Sequence, residues 1–215
     1  MSCIRGERPV FSGVSFSLDR GGALVLVGPN GSGKSSLLRI LCGLLRPAGG
    51  TLTWEGAPVE GDWPAHRGRL RYVGHLDAVK PTLTVAENLN QWARFRSATP
   101  AAPDALQAVD IEDLADVPGR YLSAGQRRRL ALARVLASPA PLWLLDEPTV
   151  TLDADSTSRV DAMITAHRSD GGMVVAATHG EIALEGAQRL DLGKHAIAAD
   201  TLLAGGEGDP EGETW

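Results

Sequence analysis

Apolar runs and helical patterns alternate along this chain, and their order predicts an α/β fold. Continuous apolar runs at Ala23–Val27, 142–145 and Met173–Ala177 are typical of strands buried on both faces of a sheet. Apolar residues recur at helical spacing over 36–45 and 154–168, which follow the first two runs. Strands that alternate with helices in this way form a parallel sheet with helical crossovers.

Shorter patterns predict further strands around this core. Residues 14–18 alternate apolar side chains with serine, and the turn Arg20-Gly21-Gly22 follows them, so we expect a strand that leads into Ala23–Val27. The remaining predicted strands and edge segments lie at 51–54, 71–74, 188–192 and 196–203.

The middle of the chain has a helical pattern that predicts a subdomain inserted at about 81–137. Thr84 stands where an N-cap is expected, just before the first helical pattern. The predicted helices lie at 84–95, 101–115 and 126–137.

Length and composition favour one folded unit. A chain of 215 residues suits a single domain over 1–204, followed at 205–215 by a Gly- and acid-rich tail that we expect to be disordered. The net charge of −5, with no dominant basic face, argues against nucleic acid as a partner. Cys3 and Cys42 lack metal-ligand spacing and are expected to be buried thiols. No apolar run approaches the length of a membrane span, so we expect a cytosolic chain.

The residues that follow the first apolar run match a phosphate-binding loop. They are Gly28, Pro29, Asn30, Gly31, Ser32, Gly33, Lys34 and Ser35, followed by Ser36, and they fit G-x-x-x-x-G-K-[ST]. The glycines allow successive amide N–H groups to turn towards an anion at the positive end of the next helix. Lys34 would reach the β- and γ-phosphates, and Ser35 would join the Mg²⁺ shell. The alternative is a Gly-rich turn that matches by chance.

Two carboxylates follow the apolar run at 142–145. Asp146 and Glu147 stand at the carboxyl end of the predicted strand, where ligands bind in open α/β sheets. We expect Asp146 to hold Mg²⁺ through its water shell and Glu147 to accept a proton from the attacking water. Taken without the loop, these acids could equally cap the next helix.

Three further segments of the chain contain candidate site residues. Ser123 and the Gly125 amide precede a predicted helix and could form a second anion site, whose ligand would come from a second protomer, although an ordinary serine N-cap explains Ser123 as well. His179 follows a strand and could hydrogen-bond a γ-phosphate oxygen, although a lone histidine usually has no role. His75 stands between a strand and the helical insertion, where it could sense nucleotide.

In the order of these motifs the chain resembles the ATP-binding subunits of ABC transporters. The resemblance is carried by 28–35, His75, Leu122-Ser123-Ala124-Gly125-Gln126, 142–147, Thr151-Leu152-Asp153 and His179. It implies a P-loop NTPase (RecA-like) core with an antiparallel N-terminal β subdomain and an inserted α-helical subdomain, and it implies ATP and Mg²⁺ as cofactors. It further implies a head-to-tail homodimer, in which Ser123, Gly125 and Gln126 contact the ATP bound by the partner's Lys34. Asp153 would line the dimer seam, and Glu147 would be the general base.

A narrower set of motifs is similar to the haem-exporter ATP-binding subunits of the cytochrome c maturation (Ccm) system. These are 3–8 with Phe11, Gly74-His75-Leu76-Asp77 with Lys80, Leu83, Thr84 and Glu87-Asn88-Leu89, and Leu122-Ser123-Ala124-Gly125-Gln126 followed by Pro141-Leu142-Trp143. This resemblance implies docking on integral membrane subunits, at the cytoplasmic face of the bacterial inner membrane. It also implies a role in haem export or in release of haem loaded on a periplasmic chaperone.

The chain departs from the wider family at three positions. His75 stands where Gln is usual, so its charge would depend on pH; Arg5 replaces the aromatic residue that stacks on adenine, and a guanidinium can also stack. Ala124 replaces a Gly, in agreement with the narrower family.

A DNA-repair ATPase would need a long coiled coil between Lys34 and Ser123, and a translation-factor ATPase would need two heads. A binding module without turnover is disfavoured by Glu147, whereas a transporter for another substrate stays open.

Overall fold

The structure is a computed structural model that describes residues 1–95, 102–178 and 184–197. The strands are β1 (Cys3–Arg5), β2 (Arg8–Phe11), β3 (Ala23–Val27), β4 (Thr53–Trp54), β5 (Ala57–Pro58), β6 (Leu70–Val73), β7 (Leu142–Asp146), β8 (Met173–Ala177) and β9 (Gln188–Asp191). The α-helices are α1 (Lys34–Leu41), α2 (Trp63–Gly68), α3 (Val85–Phe95), α4 (Ala102–Ala108), α5 (Ala124–Leu136) and α6 (Ala154–Ser169).

Within the described residues, five parallel strands form the central sheet, in the order β6-β7-β8-β3-β9. The three continuous apolar runs become β3, β7 and β8, which occupy the interior of the sheet, so their prediction as buried strands is confirmed. The predicted edge segment at 188–192 is also confirmed, because β9 closes one side. Since all five strands are parallel, their carboxyl ends meet at one edge.

Successive side chains of the interior strands pack into two apolar layers on opposite faces of the sheet. Leu145 of β7 packs in the layer to which α3, α4, α5 and α6 contribute, whereas the adjacent Leu144 packs with α1. This alternation is the two-residue period of a strand buried on both sides. The helical insertion therefore packs on one face of the sheet, and the helix after the phosphate loop packs on the other.

The N-terminal strands are antiparallel, as expected, but one prediction there is wrong. β1 pairs with β2, and β4 pairs with β5, both antiparallel. Residues 14–18 form no strand. The Val14 amide donates to the Met1 carbonyl and the Met1 amine donates to the Val14 carbonyl, but this pair does not extend into a ladder of strand hydrogen bonds. Val14 is buried while Ser15 and Ser17 are exposed. The alternation of apolar residues with serine therefore reflects packing of one side of this segment against the core, without pairing in a sheet.

The predicted helices occur with shifted bounds. Thr84 caps α3 through a reciprocal pair, in which the Glu87 amide donates to the Thr84 hydroxyl at 3.1 Å and the Thr84 amide donates to the Glu87 carboxylate at 2.8 Å. The helix predicted over 101–115 is wrong in its second half, since α4 ends at Ala108 and Asp110 takes a left-handed backbone with φ 58°. α5 begins two residues before the predicted 126, because Ser123 caps it.

Other sequence-based expectations concern thiols and membrane spans. Cys3 and Cys42 are both buried free thiols, as predicted, and burial raises the pKa of each. Within 1–95, 102–178 and 184–197, no helix combines the length and apolarity needed to cross a membrane. The tail at 205–215 and most of the predicted edge segment at 196–203 lie outside the described residues.

An aromatic stack joins α6 to the central sheet. The His167 ring lies parallel to the Trp143 indole, with centroids 3.9 Å apart and planes 5° apart. A Cβ at Gly172 would come within 2.2 Å of the His167 ring, so glycine at 172 makes room for the stack. Burial lowers the pKa of His167 below its ordinary 6.5.

This lowered pKa predicts a loss of stability on acidification. The unfolded chain takes up a proton on His167 below about pH 6.5, whereas the folded chain takes it up only at lower pH, so stability falls across that window. His167→Phe keeps a stacking ring without titrating. We expect its melting temperature to fall less than that of the wild type between about pH 7 and pH 5. Equal falls in the two proteins would contradict the assignment.

Candidate functional site

The carboxyl edge of the sheet brings together the segments singled out in the sequence. The phosphate loop at 28–35 follows β3, Gly74 and His75 follow β6, and Asp146 ends β7. Asp146 pairs in register with Ala177 of β8, and the Glu147 amide donates to the Ala177 carbonyl at 2.8 Å. His179, which follows β8 by two positions, lies outside the described residues.

The phosphate loop leaves the first turn of α1 open to an anion. Gly33 is the N-cap of α1, with a left-handed φ of 99°, and among the described residues no side chain caps this end and no acidic residue lies in its first turn. A Cβ at Gly33 would lie 2.7 Å from Val10 and Phe11, so only glycine fits between the loop and the β2 strand. The amide N–H groups at this positive helix end suit a phosphate group.

Lys34 is buried inside the loop, with 6% of its surface exposed. Its ammonium donates to the carbonyl oxygens of Gly28 at 2.8 Å and Pro29 at 3.3 Å. Burial lowers the pKa of Lys34, while the charges of Glu147 and Asp146 act in the opposite direction. The loop lysine and the strand-end acids therefore interact electrostatically across the site, as their predicted roles require.

Ser35 and Asp146 meet directly. The Ser35 hydroxyl donates to Asp146 Oδ1 at 3.0 Å, and Asp146 is only 1% exposed. Asp146 Oδ2 and Ser32 Oγ are buried with no hydrogen-bond partner in the described part of the chain. Hydroxyl and carboxylate oxygens are the ligands that Mg²⁺ takes in nucleotide sites, so these residues fit the predicted cation and phosphate. Bound Mg²⁺ would neutralise charge on phosphate oxygens, with Ser35 and Asp146 holding it.

Glu147 is half-buried and has an unusual backbone. Its φ is 53°, in the left-handed region that non-glycine residues seldom occupy. Hydrogen bonds on both sides hold this conformation: its amide bonds to Ala177, and its carbonyl accepts from the Val150 amide at 3.2 Å. Such backbone positions cluster at functional sites, where they aim a side chain. The role of Glu147 as general base stays a prediction.

His75 and Arg5 are both exposed at the ends of strands. His75 follows β6, and the loop after it is fixed by Asn88, which accepts from the Lys80 amide at 2.8 Å and donates to the Lys80 carbonyl at 3.1 Å. Arg5 pairs with Arg8 at the turn end of the β1–β2 hairpin. Nucleotide sensing by His75 and base stacking by Arg5 stay predictions.

The motif before α5 forms a reciprocal helix cap. The Ser123 hydroxyl accepts from the Gln126 amide at 3.2 Å, and the Gln126 side-chain oxygen accepts from the Ser123 amide at 2.8 Å. A Cβ at Gly125 would lie 3.0 Å from the Thr151 carbonyl oxygen, which brings the cap close to the segment after Glu147. This is the serine N-cap that the sequence left open, and the second anion site stays a prediction.

Two structural roles complete the set of predicted residues. Ser36 is buried in the first turn of α1, where its side chain acts to lower the pKa of the Cys3 thiol on β1, against the larger effect of burial. Asp153 caps α6 by accepting from the Ser156 amide at 2.8 Å, and this bond lowers the pKa of Asp153.

Sequence reasoning missed Arg128, to which it gave no role. Arg128 is 3% exposed, and its guanidinium donates to the backbone carbonyls of Asp146 and Glu147. A signal was present: Leu132 and Val135, one and two turns later on α5, are both buried, so helical spacing places Arg128 on the apolar face. A basic residue at such a position indicates a buried charge with specific partners.

Comparisons with known proteins agree with this geometry. The profile of the ABC transporter family matches residues 11–150. Two relatives bear the name cytochrome c biogenesis ATP-binding export protein CcmA. The one from Paramagnetospirillum magneticum is 53% identical over 207 residues, covering 93% of this chain and 94% of that protein. The one from Rhodospirillum rubrum is 57% identical over 191 residues, covering 88% and 82% respectively.

A solved structure agrees in fold. The dimeric ATP-binding cassette MJ0796, in a post-hydrolysis state bound to ADP and Pi, has a TM-score of 0.74 and 26% identity, with 83% of this chain and 84% of that chain covered. The fold and the site thus define an ATP-hydrolysing transporter subunit, and the chain belongs to the ABC transporter family. Its relatives at 53% and 57% identity are CcmA proteins, which confirms the narrower resemblance predicted from the motifs.

The Ser35–Asp146 bond predicts a stability effect in the absence of nucleotide. Ser35→Ala would remove the hydroxyl that donates to Oδ1 of buried Asp146, whose Oδ2 already has no partner in the described chain, and should destabilise the chain by about 1–3 kcal/mol. Ser32→Ala, in the same loop, removes a hydroxyl that has no partner in the described chain and should cost much less. Chemical denaturation of both variants measures the difference, and equal losses would contradict the assignment.

Proposed function

We propose that two copies of this chain close around two Mg-ATP molecules and couple ATP hydrolysis to haem export or haem-chaperone release in cytochrome c-type biogenesis. The membrane partners would be integral subunits of Ccm type, with the chain bound at the cytoplasmic face of the bacterial inner membrane. Support comes from the names of the relatives that are 53% and 57% identical, and from the dimeric state of the MJ0796 cassette.

The observation that carries the proposal is the meeting of the phosphate loop with the strand-end acids. Lys34 lies buried among loop carbonyls, and Ser35 bonds Asp146 at the point where β7 ends. A loop that binds phosphate, beside oxygens that suit a divalent cation, is the arrangement used for phosphoryl transfer. Glu147, one residue beyond, would orient the attacking water and accept its proton.

The remaining predicted residues have supporting roles in the proposal. His179 would hydrogen-bond the γ-phosphate, and His75 would link the nucleotide site to the membrane subunits. Arg5 would stack on the base. Ser123 and Gly125, with Gln126, would contact the nucleotide held by the partner copy. The exposure of Ser123, His75 and Arg5 leaves these side chains accessible to ligand or partner.

Loss of the loop ammonium tests the nucleotide site. Lys34→Ala removes the buried charge that would face the phosphates and should abolish measurable ATP binding, scored with a fluorescent ATP analogue. Lys80→Ala is the matched control, because within the described part of the chain the exposed Lys80 is held through backbone atoms that alanine retains. Unchanged affinity in Lys34→Ala would overturn the assignment of the loop.

Loss of the proposed base tests turnover separately from binding. Glu147→Gln keeps the side-chain size but removes proton acceptance, so the variant should bind ATP and accumulate as a dimer, with kcat reduced about 100-fold or more. Size-exclusion chromatography with Mg-ATP measures the dimer. Glu60→Gln, at an exposed position, is the control. Normal turnover by Glu147→Gln would remove Glu147 from this role.

Identification of the membrane partners tests the cytochrome c assignment. The tagged chain is purified from detergent-solubilised membranes, and the co-purifying proteins are identified by mass spectrometry. We expect integral subunits needed for cytochrome c assembly, together with loss of assembled cytochrome c when Glu147→Gln replaces the wild type. Co-purification with the membrane subunits of another transporter would overturn the substrate assignment and leave the ATPase assignment intact.

A further inference from the structure

Arg128 on α5 connects two segments that the sequence places far apart. One side of its guanidinium faces the carboxyl end of β7: Nη2 donates to the carbonyl oxygens of Asp146 and Glu147, the latter at 2.8 Å. Nε donates to the Pro148 carbonyl at 3.3 Å. One side chain thus donates hydrogen bonds to three successive carbonyl oxygens, and the middle one belongs to Glu147, the proposed base.

The other side of the guanidinium faces the loop that follows β6. Nη1 donates to the Gly74 carbonyl at 2.8 Å and to Asp77 Oδ1 at 3.0 Å. The Asp77 carboxylate compensates the positive charge and is itself mostly buried, with 22% of its side chain exposed. The loop that carries His75 is therefore joined to the backbone of Glu147 through one buried cation.

Arginine suits this position for geometric reasons. Its planar guanidinium presents donors on two edges, so it reaches the Glu147 region and the His75 loop at once, whereas a lysine ammonium is a single point. Burial of an unpaired charge is strongly unfavourable, and here the charge meets four carbonyl oxygens and one carboxylate. Truncation would take the guanidinium donors away from these acceptors in a dry environment.

The contact bears on Glu147 through its backbone. At a φ of 53°, the Glu147 backbone has a conformation that non-glycine residues disfavour, so surrounding contacts have to hold it. The direction of its Cβ depends on the orientation of the peptide planes before and after it. The preceding plane is held by the Glu147 amide on the Ala177 carbonyl, and the following plane by the Glu147 carbonyl, which accepts from both Arg128 and the Val150 amide. Removal of Arg128 takes away one of the bonds that hold the second plane.

We propose that Arg128 is a positioning residue that aims the Glu147 carboxylate and links it to the His75 loop and to α5. α5 begins just after Ser123, so a displacement of this helix reaches the Glu147 backbone through Arg128. The inference rests on the proposed role of Glu147 in hydrolysis. It adds a residue that touches neither nucleotide nor metal in the proposed site.

The test compares Arg128→Lys with Arg129→Lys. Arg129 is the next residue on α5, and its guanidinium bonds to the carbonyl and carboxylate of Asp110, away from Glu147. ATP hydrolysis is measured on the full chain with its membrane partners. We expect Arg128→Lys to lower kcat by about tenfold to a hundredfold while KM for ATP changes by less than about threefold, because misplaced catalytic groups affect turnover more than binding.

A second readout needs neither nucleotide nor turnover. Hydrogen exchange on the nucleotide-free chain should be faster in Arg128→Lys at the amides of Glu147 and Val150 and in the 74–80 loop, and unchanged there in Arg129→Lys. Asp77→Asn, which keeps Arg128, should speed exchange in the 74–80 loop and lower kcat by a smaller factor. Asp77→Asn also tests the positioning role if Arg128→Lys fails to fold.

These outcomes separate the positioning role from the proposed function. Wild-type kcat in a folded Arg128→Lys, or equal losses in Arg128→Lys and Arg129→Lys, would overturn the positioning role. If Arg128→Lys does not fold, wild-type exchange in Asp77→Asn would overturn it. Absence of ATP hydrolysis by the wild type with its membrane partners would instead refute the proposed function, and exchange at Glu147 would still report whether Arg128 holds that backbone.

Discussion

A carboxylate buried at the end of a strand is stable only where other groups compensate its charge, and the arrangement around Asp146 meets this condition. Ser35 donates to one of its oxygens, and the Lys34 ammonium interacts with its charge and with that of Glu147. The phosphate loop and the strand-end acids thus depend on each other before any nucleotide binds. The parallel sheet makes this possible, because it brings the ends of β3 and β7 to one edge, with β8 between them.

The helical insertion is joined to this edge by a second set of buried polar contacts. Arg128 bonds the end of β7 to the loop after β6, and Asn88 on α3 fixes the continuation of that loop through the Lys80 backbone. Each contact runs from a helix of the insertion to backbone atoms of the loop after β6 or of the end of β7. The insertion is thus hydrogen-bonded to the backbone of the site, a connection that the proposed coupling of nucleotide to membrane subunits would use.

Much of this could be predicted from local pattern. The runs that became β3, β7 and β8 are continuous and apolar because both faces are buried, and the expected meeting of Ser35 and Asp146 follows from parallel strands ending at one edge. Other features depend on neighbours that a sequence does not show. Residues 14–18 have the alternation of a strand but do not pair with another strand. The buried ion pair of Arg128 with Asp77 joins positions that are 51 residues apart.

The reciprocal cap at Ser123 has a consequence for how a second copy could engage this end of α5. A hydroxyl has one proton to donate and two lone pairs to accept with, and the cap uses only a lone pair, which receives the Gln126 amide. The proton stays free to rotate towards an incoming oxygen while the cap remains intact. In the proposed dimer, this helix end would therefore accept a phosphate from the other copy without unwinding, because the cap that holds it is already formed in the single chain.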